Sequence, residues 1–111
     1  MKAKIAILGI GGLLALGAAG TASAIDDAKA AELMKSGGCS TCHAVDKKLI
    51  GPGYQEVSAK HKGDADAVAK MEKSVRAGSK EQYGKIPMPP TAAAKLSDAD
   101  LKDLLTWILT K

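Results

Sequence analysis

Phenylalanine is absent from this 111-residue chain, tryptophan occurs once (Trp107) and tyrosine twice (Tyr54 and Tyr83). Aromatic side chains ordinarily supply much of a core's buried area, so an aromatic-rich core is excluded. A chain of this length is one small domain at most. Such a domain is marginal without a disulfide, a metal or a large ligand. A large flat ligand would make up the missing aromatic area, and an Ala/Leu-rich helical core would serve as well. Sustained period-two alternation is also missing, which argues against strands. There are 16 basic and 12 acidic side chains, net +4, with no concentrated basic stripe of the kind nucleic-acid binding needs. Cysteine is limited to Cys39 and Cys42.

No apolar run reaches the roughly 20 residues of a membrane helix. Lys2 and Lys4 start the chain with positive charge, Ile5 to Ala19 is uncharged, and Ala22-Ser23-Ala24 offers small residues. That order fits a secretory signal cleaved after Ala24. It predicts export to the periplasm, with residues 1–24 removed and 25–111 forming the mature domain. No stable membrane insertion is expected after cleavage, and no cysteine stands at the cleavage site for lipid attachment. The loss of Lys2 and Lys4 leaves 14 basic against 12 acidic residues, a net +2 over 87 residues.

The mature region reads as all-α, with about four short helices joined by Gly/Pro-rich loops. Asp26 and Asp27 can cap a helix to about Lys35, stopped by Gly37 and Gly38. A short helix is expected over about Tyr54 to Lys60. Asp64 or Asp66 can cap a third to Ala77, in which Val68, Met71 and Val75 share one face. Ser79 to Thr91 is a long loop, because Pro87, Pro89 and Pro90 permit neither a regular helix nor a central strand. Ser97-Asp98-Ala99-Asp100 resembles a capping box with Asp in place of Glu. Leu101, Leu104, Leu105, Ile108 and Leu109 then follow the core-facing helical spacing.

The chemistry lies in Cys39-Ser40-Thr41-Cys42-His43. Two cysteines three apart can form a disulfide in an oxidising compartment. They can form a thioredoxin-like redox pair, which expects a βαβ setting that this chain lacks. With His43 and His61 they offer four zinc ligands, although adjacent Cys42 and His43 are not the usual zinc spacing. Only covalent haem attachment accounts for all five residues. Thiols at i and i+3 can add to the vinyl groups of neighbouring pyrroles, and the histidine that follows is held under the iron. The cofactor expected is one haem c, bound through Cys39 and Cys42, with His43 as an iron ligand.

A second ligand must come from His61, Met34, Met71 or Met88. His61 sits in the polar run Lys60-His61-Lys62, a setting typical of the surface. Met34 and Met71 stand where helix packing explains a methionine. Met88 stands between prolines, where packing calls for none, in a loop stiff enough to present a thioether at small entropic cost. His43 and Met88 are therefore the expected iron ligands, in the His/Met pairing of cytochromes c.

At these residues the chain resembles the small bacterial class I cytochromes c of the c-551 type. The likeness is carried by Gly38 to His43, by Gly51-Pro52, by Gly84-Lys85-Ile86-Pro87-Met88-Pro89-Pro90 and by Leu105-Thr106-Trp107-Ile108-Leu109, and runs from Asp27 to Lys111. The resemblance implies the small all-α fold wrapped around one haem. It implies that the Pro52 carbonyl accepts a hydrogen bond from the axial histidine, which would orient His43. It places Tyr83 where the family commonly has a tryptophan that helps hold a haem propionate. It places Ser74, with neighbours Lys73 and Arg76, where family members often carry a basic residue near the second propionate. The function implied is one-electron transport in a respiratory chain, not enzymatic catalysis, by a monomer. Partners expected are redox proteins such as a terminal oxidase, a nitrite reductase, a quinol-cytochrome c reductase or a periplasmic dehydrogenase, of which the chain could also be an accepting subunit. A haem sensor or peroxidase-like protein is the rival and would need Met88 off the iron. Leu49, Ile50, Ile86 and Pro87, ringed by Lys47, Lys48 and Lys85, are expected at the exposed haem edge.

Overall fold

The computed structural model describes residues 25–111, so the expected signal, residues 1–24, lies outside the described residues. Four α-helices follow in order: α1 (Asp27–Ser36), α2 (Tyr54–Lys60), α3 (Ala67–Ala77) and α4 (Asp98–Ile108). A 3-10 turn, Cys39–Thr41, follows α1. Among the described residues there is no strand, only isolated antiparallel bridges between His43 and Lys48 and between Ser79 and Met88. The fold is the small all-α one expected.

Local chemistry sets the helix ends. Asp26 takes extended backbone angles and its carboxylate accepts from the Lys29 amide at 2.7 Å, satisfying one of the unpaired first-turn donors. Ser97 does the same for α4, accepting from the Asp100 amide at 3.2 Å. Helix α3 departs from expectation. Asp66 occupies the capping position, but its side chain makes no capping bond. Asp64 instead accepts from the Asp66 amide at 2.9 Å and pairs with Lys70 at 2.8 Å. A carboxylate two residues upstream can close its own turn, so it competes with the helix for that side chain.

Helices α1 and α4 form the back of the core. Ala30, Leu33 and Met34 of α1 are buried with Leu101, Leu104, Leu105, Trp107 and Ile108 of α4. The Trp107 indole donates to Asp27 at 3.0 Å, tying the last helix to the first. That bond, followed by the charge of Lys111, holds the Asp27 carboxyl below its ordinary range. Helix α2 joins α4 through Ser58 Oγ, which donates to the Leu109 carbonyl at 2.9 Å. Arg76, near the end of α3, donates to the Thr91 and Leu96 carbonyls at 3.2 and 2.7 Å and to Asp98 at 2.7 Å. One guanidinium fork thus fixes the end of α3 to the start of α4.

Leu33 is 4 % exposed and takes no part in lining the cleft described below. Leu33→Ala is expected to cost about 2–4 kcal/mol through lost burial and a residual cavity. A lower urea midpoint, with the visible spectrum of the native protein unchanged, would show it.

Candidate haem site

The site is a cleft between α2, α3, α4 and two loops. Its non-atom space is about 1010 Å³, a figure that includes the open mouth. The floor is apolar: Val57, Met71, Val75, Leu101, Leu104, Leu105 and Ile108. All six residues singled out in the sequence line it: Cys39, Cys42, His43, Pro52, Tyr83 and Met88. They are spread over 50 positions of chain, and the helices bring them to one place.

The 3-10 turn presents Cys39 and Cys42, both free thiols. Burial pushes the Cys39 thiol above its ordinary pKa. His43 follows directly, and its Nδ1 lies 2.7 Å from the Pro52 carbonyl. A carbonyl can only accept, so in the neutral ring Nδ1 carries the proton and Nε2 keeps its lone pair. The ring is supported further by Tyr54, stacked at 5.3 Å between centroids with 19° between planes. Trp107 meets Tyr54 edge-on at 6.3 Å. Gly51 passes so close that a β-carbon there would stand 2.6 Å from His43 Cε1. Backbone approach to the imidazole therefore requires glycine at 51.

The opposite loop is anchored at its base. Ser79 and Met88 exchange backbone hydrogen bonds at 3.0 and 2.9 Å, and the Thr91 amide donates to the Val75 carbonyl at 2.8 Å. Between these ties the chain carries Tyr83, whose hydroxyl is buried and has no hydrogen-bond partner among the described residues. Burial, and secondarily the charge of Glu56, pushes the Tyr83 phenol upward, so it stays a protonated donor at neutral pH. Gln82 Nε2 lies 3.5 Å from Ser74 Oγ, and both residues line the cleft. Arg76 is committed to the α3–α4 junction and is unavailable to the cleft.

Three features fit a haem. A long apolar cleft matches a macrocycle, an unprotonated imidazole nitrogen can bind iron, and a buried hydroxyl lacking an acceptor suits a propionate. The zinc alternative does not fit, because among the described residues no three of His, Cys, Asp or Glu are grouped to hold a metal. A family model for cytochrome c matches residues 28–111.

The chain belongs to the cytochrome c family. It is similar to cytochrome c2 of Rubrivivax gelatinosus, 51% identical over 71% of this chain and 93% of that protein. Cytochrome c-551 of Pseudomonas denitrificans is 46% identical over the same shares. The crystal structure of Nitrosomonas europaea cytochrome c552 superposes with a TM-score of 0.66 at 40% identity, covering 72% of this chain and 96% of that one. This is a small class I cytochrome c, and its function is electron transfer by a c-type haem. The two cysteines stand in the spacing by which cytochromes c attach that haem covalently.

Some of the site was not foreseen. His61, expected at the surface, has a side chain only 16% exposed and lines the cleft, 3.9 Å from Asp64. The polar run around it follows the end of α2, which turns His61 back toward the pocket. Tyr54 was visible only as the start of a helix, yet it carries the imidazole stack. Its one advance signal was an aromatic two residues beyond a proline that faces the histidine. Met71 is buried as packing predicts and also lines the cleft.

Proposed function

We propose that this cytochrome c is a soluble periplasmic one-electron carrier with one haem, attached through Cys39 and Cys42 and ligated by His43 and Met88. The observation that carries the reading is the cleft itself. It gathers both thiols, a histidine whose Nδ1 is tied to a carbonyl, and a methionine fixed by its own backbone. Bound there, a haem supplies a one-electron Fe(II)/Fe(III) couple, and a thioether ligand favours the reduced form.

The protein's own residues do the rest. Pro52 sets the tautomer of His43 and makes Nε2 a better donor. Tyr54 and Gly51 restrict rotation of the ring. Leu101, Leu104, Leu105 and Ile108 exclude water from the floor, which lowers the local dielectric and opposes net charge at the centre. The buried Tyr83 hydroxyl, which has no partner among the described residues, would donate to a propionate. With His43 and Met88 both committed to iron, no position is left for a substrate, and the protein is a carrier and not an enzyme.

Leu49, Ile50 and Ile86 are 44%, 51% and 65% exposed, and Ile50 and Ile86 also line the cleft. They form an apolar rim where a redox partner meets the haem edge, with exposed Lys47, Lys48 and Lys85 nearby. Partners of this kind are a terminal oxidase, a nitrite reductase, a quinol-cytochrome c reductase or a periplasmic dehydrogenase. Weak electron-transfer encounters use small interfaces.

A pyridine haemochrome assay on the periplasmic fraction is expected to give one covalent haem per chain. Cys39→Ala and Cys42→Ala are each expected to cut the covalently retained haem severely. Absence of covalent haem from the unsubstituted protein would overturn the reading.

A further inference from the structure

Helix α2 has seven residues and meets the candidate site at both ends. At its start, the Pro52 carbonyl lies against His43 Nδ1 and Tyr54 stacks on the imidazole. At its other end stands Lys60, which reaches across to the loop that carries Met88. Its Nζ donates to the Gln82 carbonyl at 3.0 Å and stands 4.1 Å over the centroid of the Tyr83 ring. The Gln82 side chain in turn touches Ser74 of α3. The other loop ties described above, Ser79 with Met88 and Thr91 with Val75, lie at the base of the loop. Lys60 acts on its far part.

We propose that Lys60 is a positioning residue that latches the Met88 loop to α2, so that one short helix governs both proposed iron ligands. The inference rests on the ligand reading above. A charged donor on a carbonyl makes a stronger bond than a neutral one, and a cation over an aromatic face adds attraction to the same loop segment. For the Met88 backbone to swing away, its paired hydrogen bonds with Ser79 must open. A latch on Gln82 and Tyr83 opposes that opening by holding the segment between those two residues against the helix. Lys60 is exposed, so its effect is on the frequency of loop opening and not on whether the fold forms.

The test uses the haem-loaded protein. Lys60→Met keeps the aliphatic stem and removes the charge and the donors. Cyanide binding to the Fe(III) form is expected to speed up about fivefold to tenfold. Exchange of the Met88 and Ser79 amide hydrogens should accelerate by a similar factor, while amides inside α1 and α4 keep their protection. Lys60→Arg should restore both readouts to within about twofold, because a guanidinium also donates and stacks. Cyanide rates and loop exchange unchanged by Lys60→Met would overturn the latch. So would acceleration shared equally by α1 and α4, which marks general destabilisation. Failure of the ligand reading is distinguishable: the unsubstituted protein would then bind cyanide as fast as Met88→Ala.

Discussion

Met88→Ala is expected to leave the haem covalently attached while lowering the reduction potential by on the order of 100–300 mV, within the about 0.8 V span that axial ligands set. The two halves of that outcome have separate causes. Attachment depends on Cys39 and Cys42, which are presented by the 3-10 turn after α1, and not on the loop that carries Met88. Potential depends on what faces the iron opposite His43. A thioether is a soft, neutral donor that stabilises Fe(II). Its loss removes that preference and opens the sixth position to small ligands. Cyanide or carbon monoxide should then bind the variant rapidly while binding the parent slowly. Potentiometry and a haemochrome assay on the same sample separate the effects. A potential unchanged by Met88→Ala, with haem retained, would remove Met88 from the iron and revive the sensor or peroxidase-like alternative.

That experiment also bears on which parts of the site the sequence could announce. Covalent attachment is a local pattern: five consecutive residues, each with a fixed chemical role. Met88 was legible by a different logic, since prolines on either side removed every packing reason for a methionine. Helices α2 and α4 were legible because apolar spacing and flanking residues agreed, and α2 falls on Tyr54–Lys60 as expected. What escaped was whatever depends on distance in space. The Tyr54 stack requires that the residue after Gly53 be folded against a histidine eleven positions earlier. The inward turn of His61 depends on how α2 ends, and its neighbours Lys60 and Lys62 argue locally for solvent. Arg76 illustrates the same limit. A basic residue near the position expected for a propionate contact is instead consumed by three partners across 15 to 22 residues.

Gly78→Ala is expected to destabilise the protein by about 2–4 kcal/mol and to loosen Met88 at the same time. Two costs coincide at this position. Gly78 has φ +80° and ψ 169°, a region open in practice only to glycine, where another residue costs about 1–3 kcal/mol. In addition, its β-carbon would stand 2.7 Å from the Met88 carbonyl oxygen and 3.2 Å from Pro90 Cδ. That carbonyl accepts from the Ser79 amide, so relief of the clash displaces the backbone bond that anchors the proposed ligand. Gly63→Ala separates the two costs. Gly63 also has a positive φ, +79°, but a β-carbon there meets nothing within 4 Å. It should therefore show backbone strain alone, about 1 kcal/mol, with the potential unchanged. Urea midpoints compare the strain in the two variants; the potential and the cyanide rate of the haem-loaded proteins report the clash. If Gly78→Ala matched Gly63→Ala in all of these, the Ser79–Met88 pairing would not be what holds the thioether in place. A lower potential and faster cyanide binding in Gly78→Ala alone would show that the turn after α3 fixes Met88 as firmly as Pro52 and Tyr54 fix His43.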